Sequence, residues 1–537
     1  MIATGAPAPR AQPDLARSTA TMTALTLLSR VTGVVRNVVV VAVLGVTFLG
    51  NTYQSANTVP NLLFELLVAG VLQAVLIPTF VELADQGKPD EAEHVARSVL
   101  GLAGAGLAVI AVLGAVAAPW LMRLLVSGVG DEAIREDQIR LGTILLWFFL
   151  PQVVLYAANM VATGVLNARG HFAVPAFAPL LNNVVVTASY LTFAVLRDGA
   201  EPSLDLSGAQ VAVLGLGTTL GVVAFCTAPV IAAVRSGVSL RPRFDWRHPR
   251  VRHIARLGGW AAAFLAATNV LLGVVLVLAN RVEGGVVAWN LALTVFLLPH
   301  ALVALPVLTT LFPTMSRHAA AGDAAAYQRT VASGVRAIAY LVLPAAAAML
   351  ALGLPLARVL QFGEFDRGGI GTVASTVAAF GPGLLGYGTF LFLSRALYAR
   401  GDTRTPATVN VVVVAVASVA MVVATSAVDG DGRVAALAAV YSAAYLCGAV
   451  ALLVLVRRDA PPSDLARSVG ASVVAAAAAA LCMWLVSDAL EGAGRVRSLL
   501  ELGVGGLVGL AVYVAGTALL GGPRPTAVPA LLRGDHG

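Results

Sequence analysis

Charge is what this sequence most lacks. Only 12% of its 537 residues are Asp, Glu, Lys or Arg, where soluble domains carry about 25%. Lys88 is the sole lysine, so the formal net charge of +7 is almost entirely arginine. The three cysteines, Cys226, Cys447 and Cys482, lie far apart in apolar segments. They read as buried thiols, with neither a disulfide framework nor a metal site implied. The phosphate-loop pattern GxxxxGK[ST] is missing, and no His/Glu pair has metalloprotease spacing. That argues against an ATP-driven pump and against an intramembrane metalloprotease. The longest hydrophilic connection, around 235–254, is too short to fold as a soluble domain. Strands alternating apolar and polar over about ten residues are absent, which excludes an outer-membrane barrel. No cofactor or metal is expected. Basic charge in such a chain belongs to cytoplasmic loops rather than to nucleic-acid binding.

What the sequence has is hydrocarbon. Hydrophobic residues make up 58% and the mean hydropathy is +0.86. Apolar runs of 20 or more residues recur, the length that crosses a bilayer as a helix. The reading is an all-α polytopic membrane protein with fourteen spans. They fall near 19–47, 56–82, 97–118, 141–166, 173–196, 208–234, 255–280, 286–315, 331–354, 372–398, 406–427, 434–456, 467–487 and 499–520. Pro60, Pro151, Pro299, Pro306 and Pro382 fall inside them, and membrane helices tolerate proline where neighbours satisfy the freed backbone groups. Loops on the amino-terminal side hold 21 Lys and Arg, seven of them between 235 and 256; loops on the other side hold 10, and four arginines lie inside spans. This asymmetry predicts a plasma-membrane protein with both termini in the cytoplasm.

The chain also repeats. Asn167–Pro175 (NARGHFAVP) is echoed by Tyr398–Pro406 (YARGDTRTP), Ile77–Glu82 (IPTFVE) by Phe312–Arg317 (FPTMSR), and Pro119 with Arg123 by Pro355 with Arg358. The offsets are all close to 231–236 residues. Six spans per repeat, an even number, give two halves of the same orientation, a parallel repeat with a cleft between its lobes. The expected organisation is a disordered tail (1–17), a six-helix lobe (18–236), a basic loop (237–254), a second six-helix lobe (255–458), a helix pair (459–522) and a cytoplasmic tail (523–537).

Into the first span the sequence sets SRVTGVVRN, Ser29–Asn37. An arginine near the bilayer centre costs about 2.5–3.5 kcal/mol on insertion scales. Arg30 and Arg36 therefore call for a polar, cationic chamber. They are six residues apart, roughly 120° around a helix, whereas Arg30 and Asn37 nearly share a stripe. Glu65 is the one acidic residue well inside a span; it is either a proton carrier or, the favoured reading, the partner of an arginine. Asn57, Asn61, Asn159, Asn182, Asn183 and Asn410 are candidates to line the chamber, with interhelical hydrogen bonding the commoner role for asparagine there. Arg395 and Arg336 are read as reaching the interface, and Arg169 and Arg400, in the repeated turns, as loop anchors.

Together SRVTGVVRN, VPNLLFELLVAGVLQAVLIPTFVE, NARGHFAVPAFAPLLNNV and LPHALVALPVLTTLFPTMSRH resemble the MurJ/MviN family of the multidrug/oligosaccharidyl-lipid/polysaccharide exporter superfamily. The resemblance covers about 18–460, and the last two spans by position alone. It implies fourteen spans in two lobes plus a pair, and translocation of lipid II, the undecaprenyl-diphosphate-linked peptidoglycan precursor, to the outer leaflet by alternating access. Arginine suits a diphosphate through charge-assisted, often bidentate bonds. The resemblance supports Arg30 and Arg36 as cavity arginines, and the candidate substrate-binding site is Arg30, Arg36, Asn37, Asn61 and Glu65. Implied partners are lipid II or a related polyprenyl-diphosphate glycolipid, membrane lipids and cell-wall synthesis proteins. The chain departs from the family pattern at Asn37, usually Asp; at Phe64 and Glu65, where better-known members are basic; at Ala69, usually acidic; and at Thr294 and Leu297, usually Arg and Glu. The aspartates of the sodium site seen in some members are not found, the seventh span carrying only Asn269 and Asn280, so sodium coupling is not expected. The alternatives are another polyprenyl-linked glycan flippase, a cation-coupled drug exporter of the same superfamily, and a non-transporting scaffold for cell-wall enzymes.

Overall fold

The computed structural model describes residues 12–67, 79–80, 82–83, 86–247, 249–457, 464–490, 492 and 494–533. Among these no strand occurs. In order, the helices are α1 (Gln12–Leu44), α2 (Phe48–Leu67), α3 (Pro89–Leu125), α4 (Glu132–Phe149), α5 (Val153–Ala168), α6 (Ala173–Arg197), α7 (Gly208–Arg235), α8 (Pro249–Ala279), α9 (Gly285–Pro299) and α10 (Leu305–Ala320). They continue as α11 (Ala324–Ala351), α12 (Gly353–Val359), α13 (Ile370–Phe380), α14 (Gly383–Ala399), α15 (Arg404–Ala427), α16 (Gly432–Val456), α17 (Leu465–Ala489), α18 (Arg495–Leu519) and α19 (Val528–Arg533).

Eleven helical stretches among the described residues are long and apolar enough to cross a membrane, and a twelfth is counted if the bent pair α13–α14 is one span. The pair bends by 47° at Gly381 and Pro382. Two expected spans are not in that set. Span 56–82 is described as a helix to Leu67 and again at 79–80 and 82, while 68–78, including Ala69, Ile77 and Pro78, lies outside the described residues. Span 255–280 lies within α8, whose 263–279 part is counted as an apolar stretch, the side chains at 251–259 and 261–262 being outside those described. Helix extends into both expected tails. α1 begins at Gln12, inside the expected disordered tail, of which residues 1–11 are outside the described set. The expected last tail holds α19, which packs on α10 and α11 and buries Leu531.

Packing follows one order twice. α1 lies on α6, α6 on α7 and α5 on α7; α8 lies on α15, α15 on α16 and α14 on α16. The repeated turns match bond for bond. After α5, Gly170 at φ +77° lets Arg169 N donate to Leu166 O, Gly170 N to Asn167 O and His171 N to Leu166 O. After α14, Gly401 at φ +79° supports the same bonds from Arg400, Gly401 and Asp402 to Leu397, Tyr398 and Leu397. Both arginines anchor locally, Arg169 on Ser236 O at 2.7 Å and Arg400 over the Tyr327 ring at 5.5 Å.

Lipid offers no hydrophobic drive between helices, so close backbones and polar glue hold them. A Cβ at Gly386 of α14 would stand 2.5 Å from Leu446 N of α16; only glycine admits that approach. Asn183 Nδ2 of α6 donates to Ser29 O and Thr32 Oγ1 of α1, both at 3.1 Å. Asn410 Nδ2 of α15 donates to Phe264 O (2.8 Å) and Thr268 Oγ1 (3.1 Å) of α8. These two asparagines are interhelical clamps in equivalent places. The basic connection after α7 is also held: Arg243 N donates to Arg97 O at 2.9 Å, and His94 Nε2 meets Asp245 Oδ2 at 2.9 Å. Of the cysteines only Cys226 is buried; Cys447 is exposed and Cys482 intermediate. Hydropathy misjudged these two because lipid-facing and core-facing sides of a membrane helix are equally apolar.

Candidate functional site

Five polar side chains connect α1, α9 and α2. Arg36 Nη2 donates to Asn37 Oδ1 at 3.3 Å, and Asn37 Nδ2 to Thr294 Oγ1 at 2.8 Å. Thr294 Oγ1 donates on to Asn290 O at 2.8 Å, while Asn290 Nδ2 reaches Gln54 Oε1 at 3.3 Å. Each group in the run passes a proton donor onward, an arrangement in which neighbouring bonds polarise one another. Asn37 thus ties the arginine-bearing helix to the half of the chain that begins at α8.

Arg36 stands beside a second, buried hydroxyl group. Tyr53 Oη lies 2.9 Å from Tyr190 Oη and 2.7 Å from Thr218 Oγ1, and both tyrosines are within electrostatic reach of the Arg36 guanidinium. Arg30 is exposed and within reach of His300. His300 opens a π-helical turn, His300–Ala304, between α9 and α10; such turns recur at functional sites. Its Nδ1 is buried without a hydrogen-bond partner among the described residues. Its ring meets Tyr387 edge-on, centroids 4.9 Å apart. Along α1, Asn37 meets Thr294 of α9 and Arg30 lies within reach of His300 just past the end of α9.

Glu65 is exposed and, among the described residues, makes no salt bridge to Arg30 or Arg36. The expected arginine partnership is absent. The carboxylate instead lies within reach of Tyr387 and Tyr441, which belong to an aromatic wall with Tyr445: Tyr387–Tyr445 centroids are 5.1 Å apart and Tyr441–Tyr445 4.7 Å. Asn61, also exposed, accepts from Tyr156 Oη at 3.4 Å. The Phe64 ring packs tilted against Tyr156, with centroids 4.5 Å apart. Asn269 Nδ2 donates to Leu62 O at 3.1 Å, and Asn280 Nδ2 to Ser55 Oγ at 2.9 Å. Both are engaged as interhelical bonds. The sequence reading missed Gln54, Asn290, His300 and the tyrosines; the interruption of an apolar run by LPHALVALP was the available signal for His300.

At the end where α1 stops and α2 starts, the two halves of the chain are tied. Arg197 Nη2 meets Glu364 Oε1 at 2.6 Å, with side chains 9% and 10% exposed, and Arg197 Nη1 donates to Val43 O at 2.9 Å. Nearby, Asn51 Nδ2 donates to Val282 O at 2.8 Å and its Oδ1 accepts from Val286 N at 2.9 Å.

The sequence profile of the family described as "Lipid II flippase MurJ" matches residues 40–505. The lipid II flippase MurJ of Burkholderia cenocepacia is 28% identical over 403 residues, 73% of this chain and 75% of that protein. The probable lipid II flippase of Haemophilus influenzae is 26% identical over 72% of this chain and 76% of its own. In solved structures, a lipid II flippase MurJ in an inward closed conformation matches with a TM-score of 0.73 and 16% identity, over 93% of this chain and 98% of that one. A multidrug resistance MATE family transporter of the MOP superfamily, inward-facing, matches at 0.64 and 13% identity, over 82% and 97%; the fold is shared with drug transporters. With the profile match running through most of the length, the chain belongs to the lipid II flippase MurJ family.

Proposed function

We propose that this protein moves lipid II from the cytoplasmic to the outer leaflet of the bacterial plasma membrane, its two lobes rocking in alternation around a cationic chamber. The twelve apolar crossings, with 56–82 and 255–280 added, make fourteen spans: six in 18–236, six in 255–458 and a pair in 459–522. The duplicated turns and the Asn183 and Asn410 clamps support the parallel repeat. The charge asymmetry of the loops supports cytoplasmic termini. No covalent bond changes in such a cycle, so the protein is a transporter and not an enzyme.

The observation that carries the headgroup assignment is the Arg36–Asn37–Thr294 bridge. It supports the assignment by linking an arginine of α1 through Asn37 to Thr294 of α9. Arg30 and Arg36 receive the diphosphate, in a low-dielectric setting that strengthens such bonds. Asn37 and Asn61 orient it, and Glu65, unpaired with either arginine, faces the sugar–peptide part beside the tyrosine wall. Thr294, standing where relatives carry a base, leaves Arg30 and Arg36 with more of the recognition. The test is complementation of a flippase-depleted strain. Arg36→Ala is expected to insert normally and fail to support growth; full activity of the Arg30→Ala, Arg36→Ala double variant would refute the assignment.

A further inference from the structure

A cavity of about 1140 Å³ lies far from that bridge, where α12 and the turn after it meet the α17–α18 connection. Arg358, Arg495 and Arg497 line it, with Asp366 and Gln361 opposite. It opens at the same end of the molecule as the Arg197–Glu364 tie, since α12 and α17 finish there and α18 begins there. In the orientation proposed above this is the outer face, on which arginine is disfavoured. Only ten Lys and Arg sit in the loops of that side, and three of them converge on this one cavity.

The arginines are positioned rather than loose. The Arg495 guanidinium lies 3.9 Å from the Phe362 ring centroid, donates to Gln361 O and meets Asp366 Oδ1 at 3.4 Å. Arg497 Nε donates to Leu490 O at 2.8 Å. Three guanidinium groups against one carboxylate leave a net charge of about two at the site. The rim is of another character: Val496 is 75% exposed and Leu500 56%, on a helix otherwise made to face lipid. A basic pocket edged by apolar side chains at a helix end suits a molecule with an anionic head and hydrocarbon tails. A soluble anion would have no use for the rim.

We propose that this cavity binds the phosphate-bearing headgroup of a lipid in the outer leaflet, its chains lying along Val496 and Leu500. Two sources share that chemistry, a bulk anionic phospholipid and a polyprenyl diphosphate. The leaflet assignment rests on the orientation proposed above; binding itself does not.

The test uses the full-length protein purified in detergent, with retained lipid measured by native mass spectrometry. The probes are cardiolipin, phosphatidylglycerol, undecaprenyl diphosphate and, as a phosphate-free control, diacylglycerol. The expected result is retention of the phosphate lipids at least tenfold above diacylglycerol, weakening with salt. The Arg495→Gln, Arg497→Gln variant loses that preference. Asp366→Asn, which removes the competing carboxylate, gains affinity, an effect of a sign that misfolding cannot imitate. Selective retention of undecaprenyl diphosphate that the Arg495→Gln, Arg497→Gln variant loses assigns the site to a polyprenyl lipid; equal retention of all three, lost in that variant, assigns it to anionic lipid in general. Retention equal to diacylglycerol, or no response to either variant, overturns the proposal. Because the readout is binding to a site remote from Arg30 and Arg36, it stands or falls separately from the flipping assignment.

Discussion

Replacing Glu364 by alanine removes one member of an ion pair whose two side chains are 9% and 10% exposed. Arg197 would keep its bond to Val43 O but lose its counter-charge while still enclosed. Breaking one partner of a buried pair costs about 3–5 kcal/mol, because the remaining charge is uncompensated. At about 1.4 kcal/mol per tenfold, that is a shift of roughly two to three and a half orders of magnitude against any state in which this end is shut. The pair joins α6 to the segment before α13, so the cost falls on that closure rather than on the folding of either half. Val43, 5% exposed and next to the pair, is the natural reporter. In a background lacking the three native cysteines, a Val43→Cys protein should react slowly with a membrane-impermeant maleimide applied to cells, and much faster once Glu364→Ala is added. Replacing both partners by leucine should restore slow labelling, since an apolar pair of similar volume leaves no orphan charge. Labelling unchanged by Glu364→Ala, or a double variant as reactive as the single one, would refute the reasoning.

Other expectations concern the packing and the bridge. Asn183→Ala and Asn410→Ala should each cost about 0.6–2 kcal/mol, the worth of interhelical polar bonds in membranes, and by similar amounts in thermal unfolding in detergent. Gly386→Ala should destabilise by about 1–3 kcal/mol, the usual penalty of overpacking, because its Cβ would press on the Leu446 backbone; reduced yield and a lower unfolding temperature are the readout. Thr294→Val should weaken complementation and Thr294→Ser should not, since only the hydroxyl is needed to accept from Asn37 and donate to Asn290.

Much of this was legible before any coordinates. The ARG echoes anticipated two turns with one bonding pattern, while the spacing of Arg30 and Asn37 gave a shared stripe on α1 without naming the helix it meets. Helical character was plain because bilayer-length apolar runs have few other uses. The helix count was less direct. Proline inside a span, as at Pro299 beside the π turn of His300, leaves the apolar crossing intact, as membrane helices allow. Which side of a helix faces lipid was not legible at all: Cys447 sits among residues as apolar as those around buried Cys226. Nor was the company of Glu65, because its neighbours across the molecule come from distant parts of the chain. The tyrosines that face it are more than 300 residues away.

The central claim is that the chain carries lipid II across the membrane. The most direct measurement depletes the protein in its own cells and quantifies lipid II accessible at the outer face, with no other flippase present. Accessible lipid II should fall sharply while the cytoplasmic-face pool grows. Wild-type protein should restore it, and the Arg30→Ala, Arg36→Ala variant should not. Lipid II reaching the outer face at the normal rate in depleted cells would contradict the account.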